Sequence, residues 1–282
     1  MSVLTPAQAT AAPTVSQTTA PILRAGVVSY LNTLPLISGL ERLHGLHMQP
    51  APPSELVQML ERDQVDVALC SSVDLFKAPF DPAWIASTPL ACDGETHTVR
   101  LFSRVPLGQI STIAGDTESH TSMALLQVLL RCHWHNQATL VADAEPDTCD
   151  AVLRIGDKVV DPAYSTEQWP VQVDLGAEWK VYTGLPFVFA VWMSRADRVG
   201  QLVSAGRIID RQYRLNRTRI EHMMSRQAPR HGWKPGEAQI YVRDHIQYEF
   251  TTDLLNGLKR FADACRQLGL VPDRPLPAPV SI

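Results

Sequence analysis

From Ile22 onward, short apolar runs alternate with stretches of helical period, which predicts α/β structure with a largely parallel sheet. "LRAGVVSY" predicts a first strand, residues 33–43 a helix and "LHMQP" a second strand. "PSELVQMLERDQ" reads as an amphipathic helix opened by Pro53 and Ser54, and "VDVALCSS" as a buried strand. This strand and the first both run out into small polar residues, so the two ends are expected to share a rim.

"WIASTPLA" and "THTVRLFS" predict further strands, after which "VPLGQIST" and "IAGDTESHTSMALLQVLLRC" open a new strand–loop–helix unit. "ATLVADA" and "CDAVLRIGD" are strand patterns. "DLGAEWKVYTGLPFVFAVWMSR" runs from a polar helix through a Gly-Leu-Pro turn into a strongly apolar strand. Beyond Ser194 the period is helical, with Thr251 or Thr252 suited to cap the last helix, Gly269 to end it, and "PDRPLPAPV" as a loose tail. The organisation expected is a disordered tail over 1–20, one lobe from 21–104 and 191–282, and a second lobe from 105–190. Two crossings make a hinge, with a cleft between the lobes.

Composition narrows the partners. A net charge of -4 over 282 residues gives no general attraction to nucleic acid or to an anionic membrane, and a small anion would need local help. The basic stretch "RIIDRQYRLNRTRIEHMMSRQAPR" is interrupted by acids and reads as a solvated helix face. The five cysteines are odd in number and form no Cys-x-x-Cys pair, which argues against a disulfide framework or zinc knuckle and for a reducing compartment. The first twenty residues lack the basic and apolar regions of a signal peptide, and no run approaches the ~18 apolar residues of a membrane span, so a cytoplasmic location is expected.

Ligands of open α/β sheets sit beyond the carboxyl ends of strands, where loops expose polar side chains and backbone N–H groups. "SYLNT", with Tyr30, Asn32 and Thr33, has that placement, as does "CSSVD" with Ser71 and Ser72. In the second lobe Ser119, Thr121 and Ser122 stand at the start of a helix, whose positive end suits a carboxylate. Each group serves equally as a helix cap. Gly184 and Pro186 form a hinge-like turn before Phe187 and Phe189, one face of which is placed to line the cleft. His97, beside Thr98 near the crossing, is the one histidine kept on the cleft list. Cys132, His133 and His135 match no closed zinc spacing, "RIGD" has no glycine-rich loop around it, and neither metal nor nucleotide cofactor is expected.

Taken together, "YLNTLPL", "VDVALCSSVD", "DTESHTS", "RIGD", "DLGAEW" and "TGLPFVFAVW" resemble the menaquinone-biosynthesis family whose members are chorismate dehydratases of the futalosine pathway. The resemblance runs from about residue 22 to 270, and the Pro-Cys-Pro-Asn-Asp opening of the family's nucleoside-cleaving relative is absent. It implies a type II periplasmic-binding-protein fold and the loss of water from chorismate to give 3-[(1-carboxyvinyl)oxy]benzoate, with no redox cofactor or metal. The family's Asn falls on Asn32, and its Ser in Gly-x-x-x-Ser-Val-x-Leu falls on Thr98, which keeps the hydroxyl and adds a methyl. The resemblance implies catalytic roles for these two, with Tyr30, Thr33, Ser71, Ser72, Ser119, Thr121, Ser122, Gly184, Pro186 and Phe187 around the substrate. The rival from another class is a small-anion solute-binding or ligand-sensing protein of the same fold.

Overall fold

The computed structural model describes residues 22–142 and 144–282; the tail expected over 1–20 lies outside them. Eleven strands among the described residues form two sheets. They are β1 Leu23–Val27, β2 Leu46–Pro50, β3 Val67–Ser71, β4 Pro82–Trp84, β5 Leu90–Cys92, β6 Val99–Ser103, β7 Thr112–Ala114, β8 Thr139–Val141, β9 Ala151–Ile155, β10 Val171–Asp174 and β11 Phe187–Arg195. The helices that position the site are α1 Leu34–Ile37, α2 Pro53–Glu61, α3 Asp74–Lys77, α4 His120–Val128, α5 Leu175–Thr183, α6 Val199–Asn216, α7 Ile220–Gln227, α8 Pro235–Ile240 and α9 Thr252–Gln267. None of the described helices is long and apolar enough to cross a membrane.

The first sheet runs β2-β1-β3-β11-β4, with β5 also on β11; the second runs β10-β6-β9-β7-β8. β1 pairs in parallel with β2 and β3, so the two polar strand ends do share a rim. β3 is buried at all five positions and lies beneath α2, whose Leu56, Val57 and Leu60 are buried. At Gly26 the layers approach so closely that a Cβ would stand 2.8 Å from Leu56 Cδ2.

β11 returns antiparallel to β3 and carries nearly unbroken apolar sequence because both its faces are covered. Phe187, Val188, Val191 and Met193 pack with Leu254, Leu258 and Phe261 of α9, whereas Ala190 and Trp192 pack with Leu202, Ala205 and Ile209 of α6. A register shift between Val188 and Ala190 changes which face each residue presents.

Several expectations need correction. β6 pairs with β9 and β10 and so belongs to the second sheet, while all of β11 belongs to the first. The first crossing therefore falls between Cys92 and Val99 rather than near 105, and the second precedes Phe187 rather than following 190. The single strand expected at "WIASTPLA" is two short ones, both paired with β11. The helix expected over 33–43 stops at Ile37, because Gly39 turns left-handed with φ +96° and a short 3₁₀ turn follows. The proline-rich tail is pinned, not loose: Trp84 Nε1 donates to the Pro277 carbonyl at 2.8 Å and Val280 N to the Trp84 carbonyl at 2.7 Å. Thr251 caps α9 by accepting from Leu254 N at 3.2 Å, and Gly269 takes φ +67° just past its end.

Candidate active site

A cavity of about 540 Å³, counted with its open mouth, lies where the two sheets face each other. Val28, Tyr30 and Asn32 reach it from the loop after β1, and Ser71 from the end of β3. Thr98 and Val99 reach it from the start of β6 and the residue before it, Ser119 and Ser122 from the cap and first turn of α4, and Ile155 and Gly156 from the end of β9. Phe189 and Ile246 supply apolar wall. No Asp, Glu, His, Lys or Arg lines the cavity among the described residues.

Asn32 is held at both ends by tyrosines from the C-terminal part of the chain. Its Nδ2 donates to the Tyr241 hydroxyl at 2.9 Å, and its backbone carbonyl accepts from the Tyr248 hydroxyl at 2.8 Å. The Tyr241 hydroxyl also lies 2.6 Å from Thr98 Oγ1, so one buried phenol joins a residue after β1 to the one just before β6. Tyr241 is fixed in turn by stacking on Trp233, with ring centroids 4.9 Å apart and planes within 5°. Asn32 Oδ1 is buried and has no partner among the described residues. Such an atom costs about 1–3 kcal/mol while it lacks a bond, which a bound polar group can supply.

Tyr30 sits at the seam between lobes. Its hydroxyl donates to Glu118 Oε2, and its ring lies over Gly156, where φ is +60° and a Cβ would stand 2.8 Å from the ring. Ser54 N donates to the Glu118 carbonyl at 2.9 Å, and Leu31 N to Asp157 at 3.1 Å. Asp157 also holds His231 Nδ1 at 2.7 Å and Trp233 Nε1 at 2.9 Å. These bonds across the seam describe lobes in contact around the cavity.

The electrostatics follow from burial. Desolvation pushes the Tyr30 phenol far up, with the Glu118 bond and charge adding to it, and desolvation likewise raises Tyr241 against the bonds from Thr98 and Asn32. Both phenols therefore stay protonated near neutral pH. Burial alone would raise Glu118, but the bonds from Tyr30 and Lys158 outweigh it and hold its carboxyl below the usual value. Lys158, 2.8 Å from Asp116 and 3.1 Å from Glu118, is already occupied behind the wall. Positive potential at the cavity comes instead from the N-terminus of α4, capped by Ser119 Oγ, which accepts from Ser122 N at 3.1 Å.

Of the substrate-site residues expected from sequence, Tyr30, Asn32, Ser71, Thr98, Ser119 and Ser122 meet at the cavity. The others do not line it. Thr33 donates into the Val28 and Tyr30 carbonyls, both at 2.7 Å. Ser72 donates to the Val188 carbonyl at 2.6 Å, and Thr121 accepts from Val73 N at 3.2 Å. Gly184 is the left-handed cap of α5, the Pro186 carbonyl accepts from Trp179 Nε1 at 3.2 Å, and Phe187 is core between Trp179 and Phe261. Phe189, two residues on, is the aromatic that reaches the cavity. His97 is not on the wall either, and His133 lies 3.1 Å from Glu178 in a structural pair.

The sequence reading missed Thr96, Ile155, Gly156 and Tyr241. "RIGD" directly after a buried strand was a usable signal for Gly156, since a glycine there marks close approach. Tyr241 gave none: it meets Asn32 across 209 residues.

The menaquinone-biosynthesis family model matches residues 23–267. A chorismate dehydratase of Thermus thermophilus is 31% identical over 267 residues, covering 85% of this chain and 93% of that protein. One from Campylobacter jejuni is 25% identical over 260 residues, covering 87% and 98%. A Candida albicans protein described as having the generic periplasmic-binding-protein fold superposes with a TM-score of 0.62 at 10% identity, covering 91% of this chain and 92% of that one. The architecture is thus the expected periplasmic-binding-protein fold.

Proposed function

Because this chain belongs to the menaquinone-biosynthesis family of chorismate dehydratases, we propose that its cleft converts chorismate to 3-[(1-carboxyvinyl)oxy]benzoate and water. The observation that carries the site is the Tyr241 hydroxyl, which ties Asn32 to Thr98 and leaves Asn32 Oδ1 unpaired at the cavity. In the elimination a proton leaves the ring carbon bearing the enolpyruvyl ether and hydroxide leaves its neighbour. The electron pair of the broken C–H bond completes the aromatic ring. Aromatisation makes the step strongly downhill, so the protein has to place the substrate and assist the two departures.

Each wall residue then has a task. Asn32 positions the hydroxyl that will depart by accepting its O–H at the free amide oxygen, an atom already desolvated and held in place. Thr98, held by Tyr241, and Ser71 orient the enolpyruvyl carboxylate. Ser119 and Ser122, at the positive end of α4, hold the ring carboxylate. With no side-chain carboxylate or imidazole on the wall and both phenols protonated, the substrate's own enolpyruvyl carboxylate takes the ring proton and passes it to the departing hydroxyl, which leaves as water. The setting we propose is the cytosol, where the five free cysteines, four of them buried, stay reduced.

The test is incubation of the purified protein with chorismate alone, following the carboxyvinyloxy-benzoate by chromatography and mass. Product formed by the parent and lost in Asn32→Ala supports the reading. Chorismate bound but unchanged replaces it with the solute-binding alternative of the same fold.

A further inference from the structure

Beside the cleft, at the first crossing between sheets, Glu95, His97 and His245 bring three potential ligand atoms within 4.8 Å of one another. Glu95 and His97 belong to the link from β5 to β6, and His245 closes the π-helical turn Tyr241–His245 that begins with the phenol of the cleft. The two imidazoles face each other through Nε2 at 3.0 Å, with ring planes at 87°. Glu95 Oε1 is 3.9 Å from His97 Nε2.

The backbone aims these groups. His97 adopts φ +62°, which is strained for a residue with a side chain, and is fixed there by the Asp174 carboxylate accepting from Thr96 N at 3.0 Å and His97 N at 2.7 Å. His245 Nδ1 faces the Glu95 carbonyl at 3.3 Å, so its N–H points there and its Nε2 lone pair points at His97. Two nitrogens bound at about 2.0–2.1 Å to a tetrahedral ion stand about 3.3 Å apart, so the rings need separate by only a few tenths of an ångström. Two imidazoles and a carboxylate, with a position left for water, suit zinc and its late-transition neighbours.

We propose that Glu95, His97 and His245 form a zinc-type binding site that ties the inter-lobe crossing to the turn carrying Tyr241. The ion takes no part in the elimination; it clamps the hinge. Arg100 is the counterweight. Its Nη2 lies 3.0 Å from Glu95 Oε1 and 3.3 Å from His97 Nδ1, so the ion must displace it. Its buried Nε lacks a hydrogen-bond partner and lies 3.9 Å from Asp174 Oδ2, which provides the alternative position.

The experiment is calorimetric titration of the full chain with Zn²⁺, with Co²⁺ used to read the ligand field by visible absorption. Neither readout involves chorismate. One equivalent should bind, with affinity falling at least about tenfold in His97→Asn and in His245→Gln, and rising in Arg100→Ala. Asn tolerates the positive φ, so His97→Asn decides the matter if His245→Gln fails to fold. No binding by the parent, or equal binding by the folded variants, overturns the proposal.

Discussion

"SYLNT" and "DTESHTS" are similar in sequence, both being polar clusters at the mouth of a helix, yet they are built in opposite ways. The Ser119–Ser122 arrangement is satisfied within three residues, Ser119 Oγ accepting from Ser122 N and donating to Ser122 Oγ at 3.0 Å. Asn32 does not cap its helix: its partners are Tyr241 and Tyr248, 209 and 216 residues away. The local cluster is a folding device that also faces the cavity. The distant one needs the whole molecule assembled before its amide is oriented, and it is the one that keeps an unpaired polar atom for a ligand.

The sharpest way to break that contrast is Asn32→Ala, which should lower kcat by about 10²–10³-fold, as removal of one aligned polar group does, with little change in Tm. Steady-state assays and thermal melts on the same sample check it, and unfolding in place of inactivity would make Asn32 structural. Tyr241→Phe should act on both properties, because it strips the shared hydroxyl from Asn32 and Thr98. A loss of about 1–3 kcal/mol in urea unfolding, with a lower kcat, is expected.

Ser119→Ala tests the opposite side, with about 1 kcal/mol of stability lost with the cap and a smaller effect on turnover. A larger loss of turnover than in Asn32→Ala would invert the comparison. The smallest expected effect is that of pH. Burial raises both phenols, and burial with the His245 and Arg100 charges outweighs Glu95 to lower His97, so none of these groups changes protonation between about pH 7 and 9. The kcat profile should be flat there, and a bell would reveal a side-chain base.

Acid should act through the seam. Glu118 has a depressed folded value, so its contribution to stability is present above its unfolded pKa of about 4.3 and is lost as pH falls through the lower folded one. Glu118→Gln should remove that part of the acid-side loss in a pH series of melts.

Much of the molecule is legible because its causes are local. Strand and helix order follows from apolar period, α9 from its Thr251 cap, and the shared rim from two apolar strands that end in polar residues. Sequence fails where a distant partner decides. Ser71 and Ser72 are adjacent and chemically identical, yet Ser71 lines the cavity while Ser72 is spent on the Val188 carbonyl of β11. Phe187 and Phe189 touch, with ring centroids 4.7 Å apart, yet Phe187 is held in the core between Trp179 and Phe261 while Phe189 reaches the cavity. The lobe boundaries were misplaced because apolar period marks β6 and β11 as strands without saying which sheet completes their hydrogen bonds.

The sequence by itself therefore determined most of the elements and the two-lobed plan and nominated Asn32 and Thr98, since periodicity, capping and motif resemblance are written in neighbouring residues. Tertiary structure alone decided which hydroxyls face the cavity, that Tyr241 joins Asn32 to Thr98, and that His97 meets His245. The last two depend on contacts between segments more than 140 residues apart, whose geometry exists only once the core has packed.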